Sequence, residues 1–111
     1  MLINGHCHCS YITYQVNGNI IKCSYCDCKG CQRTTGTLNA PFVTVPRDGF
    51  TLISGELSKY HAPSGEKCDQ FGDWHFCPKC GSPIFWKSHE GNELDLFAGS
   101  LENPELFQIK E

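Results

Sequence analysis

Cys23-Ser24-Tyr25-Cys26-Asp27-Cys28-Lys29-Gly30-Cys31 puts four cysteines into nine residues, and no other stretch restricts the fold as much. Two more groups answer it, Cys7-His8-Cys9 upstream and Cys77-Pro78-Lys79-Cys80 downstream, so that only Cys68 of the 9 cysteines stands apart. Thiols at i,i+2 or i,i+3 converge readily on one cation, because zinc draws its sulfur ligands to about 2.3 Å. The pattern is that of a zinc protein. The open matters are how many metals it holds and what they do.

Composition narrows the alternatives. A chain of 111 residues with 40% hydrophobic and 12% aromatic content can build a modest globular core, and we expect one domain over residues 1–111. Net charge is −3 and lysines and arginines do not cluster, which argues against a nucleic-acid partner. Met1-Leu2-Ile3-Asn4-Gly5 has neither a basic nor an apolar leader character, and no run of apolar residues is long enough to span a bilayer. A cytoplasmic protein with no membrane partner is therefore expected. In that compartment thiols stay reduced, and an odd cysteine number also disfavours a disulfide framework.

Residues 6–16 are rich in β-branched and aromatic types and largely alternate, which predicts a half-buried strand with Cys7 and Cys9 on one face. Asn17-Gly18 predicts a hairpin turn, with residues 19–23 as the returning partner strand. That hairpin would bring Cys7 and Cys9 close to the central cysteine group. Residues 29–38 suggest a short helix or turn. Strands are expected at 42–45, 50–53, 56–60, 74–76, 84–87 and 94–98, separated by turn residues, with a loop over 61–73. The result is a mostly β fold pinned by metal.

Phe76-Cys77-Pro78-Lys79-Cys80-Gly81 is the strongest single motif. An aromatic anchors it, proline stiffens it, and Gly81 accepts a positive φ that lets backbone N–H groups approach sulfur. Such a knuckle is half of a tetrahedral site. Spacing leaves the pairing open: Cys23/Cys26 and Cys28/Cys31 are both C-x-x-C, and Cys7/Cys9 is C-x-C. Two closed four-cysteine sites fit this spacing, and so does one closed site beside an open three-cysteine site. A closed site stabilises, whereas an open one can take water or substrate.

Gly5-His6-Cys7-His8-Cys9, Cys26-Asp27-Cys28-Lys29-Gly30-Cys31 with Arg33 and Gly36, and Phe76-Cys77-Pro78-Lys79-Cys80-Gly81 together resemble the glutathione-dependent formaldehyde-activating enzyme family, also called centromere protein V-like. Ser54-Gly55-Glu56, Tyr60 and Ala98-Gly99-Ser100-Leu101 extend the resemblance over nearly the whole chain. The resemblance implies an Mss4-like (β-tent) fold, a structural zinc on Cys7, Cys9, Cys77 and Cys80, and a second, open zinc on Cys26, Cys28 and Cys31. It also implies a carbon–sulfur lyase acting on the adduct of glutathione and formaldehyde, with the second cysteine group as the catalytic site and glutathione as co-substrate.

The chain departs from the family where Asp27 stands in place of a frequent histidine. A longer approach to the last knuckle carries Cys68, and Cys23 is an extra thiol able in principle to close the second site. We expect that site to stay open, since an i,i+3 pair added to a C-x-C is crowded. Arg33 is placed to pair with a glutathione carboxylate. His61 and His75 are weaker candidates for acid/base groups or metal neighbours. His6 and His8 are expected to flank the metal strand, and Cys68 to be a free thiol. Trp74, Phe76, Phe85 and Trp86 read as core. The competing function is a non-enzymatic zinc module, structural or partner-binding, with both sites closed.

Overall fold

In the computed structural model, which describes residues 1–61 and 71–109, nine strands form two antiparallel sheets. The smaller sheet contains β1 (Leu2–His6), β2 (Thr13–Asn17) and β5 (Phe50–Ser54), with β2 in the middle. The larger has six strands in the order β3 (Lys22–Cys26), β4 (Ala40–Pro46), β9 (Glu93–Phe97), β8 (Pro83–Ser88), β7 (Gly72–Phe76) and β6 (Ser58–His61). One helix, α1 (Lys29–Thr35), follows β3 and ends at Gly36, which takes the left-handed conformation of a helix cap (φ 74°). The mostly β expectation holds.

Two sequence expectations are corrected. Residues 6–16 are not one strand: β1 ends at His6, Cys7 and Cys9 sit in a turn, and β2 begins at Thr13. The turn was hidden because its left-handed position belongs to Ser10 (φ 66°) rather than to a glycine. Nor do residues 19–23 return on β2. Instead β3 pairs with β4 in the other sheet, with Cys23 opposite Val43 and Cys26 opposite Ala40, while β2 pairs with β1 and β5. Asn17-Gly18 therefore marks a crossing between sheets. Cys68 lies outside the described residues.

Pleating decides which core each residue joins. Val43 and Val45 of β4 and Leu94 and Leu96 of β9 point toward the smaller sheet, meeting Ile3, Tyr14 and Val16. Phe50 joins the layers, stacking on Tyr14 at 5.3 Å between ring centroids and meeting Phe85 edge-on at 5.1 Å. Ala40 and Phe42 face the opposite way, where Trp74, Trp86 and Phe97 make a second apolar layer around Cys26 and Cys31. The two cysteine centres thus belong to different cores. Of the four aromatics expected in the core, Trp74, Phe85 and Trp86 are buried and Phe76 is half-buried.

Candidate metal centres

The first centre joins two turns that are distant in sequence. In each, the first cysteine closes the turn with its own backbone: Cys7 N–H donates to Ile12 O (3.1 Å) and Cys77 N–H to Ser82 O (2.9 Å). Ser10 and Gly81, the two left-handed residues (φ 66° and 78°), turn the chain back in equivalent places. His8 N–H donates to Ser82 Oγ at 3.1 Å, which ties one knuckle to the other. As a result the sulfurs of Cys7, Cys9, Cys77 and Cys80 all lie within 4.8 Å of one another.

These separations fit a metal. Four sulfurs at ~2.3 Å around a tetrahedral centre are about 3.8 Å apart. The Cys7–Cys9 and Cys9–Cys77 sulfurs are 3.6 and 3.8 Å apart. Backbone N–H groups are aimed at the sulfurs, from Ile12 to Cys7 (3.3 Å) and from Lys79 and Cys80 to Cys77 (3.3 and 3.4 Å). Such donors favour the ionised form. The Ser82 hydroxyl and backbone bring the Cys80 thiol down to about 5. A Tyr11 backbone bond lowers Cys9, yet burial and the three neighbouring thiols outweigh it and push Cys9 up to about 11. Four thiols this close compete for the same donors, and a cation is what lets all of them ionise together.

The second centre is local. Cys26 ends β3, Cys28 caps α1 by accepting the Cys31 N–H on its sulfur (3.4 Å), and Cys31 lies buried in the helix's first turn. The three sulfurs lie within 4.8 Å of one another, which suits one metal. Burial, and after it the neighbouring Cys26 and Cys28 thiols, raises the pKa of Cys31. Cys28 is only half-buried, which gives the centre its contact with solvent.

Cys23 is outside this group. It lies three residues before Cys26 on one strand, so the two side chains leave opposite faces of the sheet. Its sulfur packs against the inter-sheet core and meets Leu106 O at 3.8 Å. Among the described residues, then, the second group has three thiols and the first has four.

The remaining candidates separate clearly. Arg33 is exposed in the last turn of α1, and Asp27 is exposed beside the cluster. His75 stacks on Phe85 (4.2 Å between ring centroids), and burial lowers its pKa. His6 Nδ1 turns back to Cys7 O at 2.7 Å, while His8 is exposed. His61 alone enters a further cluster, with Asp73 and His89. No sequence motif marks that cluster, because its members come from three separate segments and His89 reads as an ordinary turn residue.

The model of the family described as glutathione-dependent formaldehyde-activating enzyme matches residues 2–110. The chain belongs to that family. As a member of the glutathione-dependent formaldehyde-activating family it is tied to a glutathione-dependent, formaldehyde-related activity and to a small-molecule thiol partner. A crystal structure of a Rhodobacter sphaeroides protein superposes with a TM-score of 0.72 at 20% identity, covering 96% of each chain, and shows the same fold. No curated protein sequence matches the chain. Among the described residues no helix is long and apolar enough to cross a membrane.

Proposed function

We propose that the protein is a zinc-dependent carbon–sulfur lyase that makes or breaks the hemithioacetal of glutathione and formaldehyde. In this reading Cys7, Cys9, Cys77 and Cys80 hold a structural zinc, and Cys26, Cys28 and Cys31 hold the reactive one. The observation that carries it is the unequal thiol count: among the described residues four sulfurs converge at the first centre and three at the second, with Cys23 turned to the other face. Three protein ligands leave a position for an incoming group.

The reaction is simple in its balance. The sulfur of glutathione bonds to the carbonyl carbon, the C=O π pair moves to oxygen, and the thiol proton ends on the new hydroxyl; cleavage reverses each change. Zinc on the three-thiolate site would hold the glutathione sulfur and lower its pKa. The chain's residues do the rest. Trp74, Trp86 and Phe97 keep water from one side of the cluster, and Cys28 faces the side from which a thiol arrives. Arg33, exposed on the same helix, offers a bidentate partner for a glutathione carboxylate. A hollow of about 360 Å³ lies beside the first centre, lined by Cys7, His8, Ser82 and Phe97 among others. Phe97 also belongs to the apolar layer around the second centre, and the hollow has room for part of the peptide. The chemistry requires free thiols, which suits a reducing, cytoplasmic setting.

Cobalt substitution tests this. Titrating the cobalt protein with glutathione should strengthen the thiolate-to-metal charge-transfer bands as a fourth sulfur joins the second centre. A spectrum that is already four-thiolate at both centres, and indifferent to glutathione, would favour a closed structural or partner-binding module.

A further inference from the structure

The sheet edge away from both cysteine centres carries a second kind of donor set. β6 ends at His61, which lies opposite Asp73 on β7. His89 follows β8, and its backbone N–H donates to Phe71 O at 3.0 Å, which fixes it beside the start of β7. Two segments thus converge on one carboxylate oxygen of a third. His61 Nδ1 lies 2.9 Å from Asp73 Oδ1, and His89 Nε2 lies 3.1 Å from the same atom. The two imidazoles stack with centroids 4.9 Å apart and planes 14° from parallel, so both present their nitrogens on one side. Lys59 Nζ approaches the other oxygen, Oδ2, at 3.7 Å and leaves Oδ1 to the histidines.

We propose that His61, Asp73 and His89 form a third metal site, for a borderline divalent cation of the zinc, cobalt and nickel class, independent of the cysteine centres. Two donors ~2.0–2.1 Å from one ion lie about 2.9–3.4 Å apart at octahedral or tetrahedral angles. The observed 2.9 and 3.1 Å separations already fall in that range, and all three donor atoms lie within 4.8 Å. Two imidazoles and a carboxylate, without sulfur, select such ions over magnesium or calcium and over soft copper(I). Three protein donors leave room for water on the exposed side. Asp73 and Trp74 are adjacent on β7 and leave opposite faces of the sheet, so this site and the aromatic layer around Cys26 are on different sides. Along β7, Asp73 is about 13 Å from Cys77 at ~3.3 Å per residue. No cation is shared between them.

The test uses untagged protein whose cysteine centres have been filled with zinc and freed of excess metal. Nickel(II) titrated into it calorimetrically should add one equivalent per chain, with paramagnetic broadening of the resonances of His61, Asp73 and His89. His61→Ala, His89→Ala and Asp73→Asn should each weaken nickel binding tenfold or more while the cysteine-bound zinc is retained, which reports that the fold is intact. Absence of a further equivalent would reduce the cluster to a hydrogen-bonded surface group and overturn the proposal. Unchanged affinity in any of the three variants would overturn it too, by putting the nickel elsewhere. The result does not depend on whether the three-cysteine centre is catalytic.

Discussion

The two cysteine centres use the same ligand chemistry and are built in opposite ways. The first joins Cys7 and Cys9 to Cys77 and Cys80, from turns at the ends of β1 and β7, and its sulfurs converge only when both sheets are in place. The second comes from Cys26, Cys28 and Cys31, held by the end of β3 and the first turn of α1. A long-range site stores folding energy, because the metal closes a loop the unfolded chain must otherwise keep open. A local site adds little to the global fold and is free to leave a ligand position for chemistry. In the proposed reading, position within the fold, more than ligand type, separates a structural metal from a working one.

Removing one ligand from each centre would break or sharpen this contrast most. Cys80→Ala should lose one zinc equivalent and fail to fold, since structural zinc supplies on the order of 10 kcal/mol in small domains. Cys28→Ala should stay folded by circular dichroism and lose glutathione binding. Equal loss of structure in both variants would end the division of roles.

Gly5→Ala comes next. Gly5 runs on β1 directly under the Tyr14 ring, and any Cβ there would overlap that ring. The substitution should cost about 1–3 kcal/mol in chemical denaturation through overpacking. It should also loosen the four-cysteine centre one turn away, while the glutathione titration of the cobalt protein stays as in the parent. A parallel fall in glutathione response would mean that the two centres are mechanically coupled.

Tyr14→Phe is the mildest. The Tyr14 hydroxyl and Ser100 Oγ share a buried hydrogen bond of 2.7 Å between β2 and the turn after β9. Its loss should cost about 1 kcal/mol near neutral pH. Burial, only partly offset by the Ser100 bond, pushes the Tyr14 phenol up to about 12 from the ordinary 10. The folded state therefore favours the protonated form: that stability is complete below pH 10 and is lost as pH rises toward 12. Comparing urea midpoints across that window, the parent should lose about 2–3 kcal/mol that the phenylalanine variant does not.

The cysteine groups were legible because a metal needs its ligands at short, repeated spacings, and Cys77-Pro78-Lys79-Cys80-Gly81 carries its own turn residues. The matching turn at Cys7 was less so, since Ser10 occupies the position where glycine would have announced it. Cys23 was ambiguous for a related reason: an i,i+3 spacing joins two thiols in a turn but divides them in a strand, and only the secondary structure tells which applies. His61, Asp73 and His89 had no local signal at all.

By itself, then, the sequence determined a mostly β chain, three cysteine groups and the family to which they belong, because alternation and ligand spacing are local properties. Spacing left the grouping of the cysteines open and the family resemblance implied it; the folded structure brings those same groups together, and it alone decided which face Cys23 takes and which histidines meet Asp73. Each of those depends on strand pairing between distant residues: β3 pairs with β4, which sets Cys23 against the inter-sheet core and Cys26 in the second apolar layer.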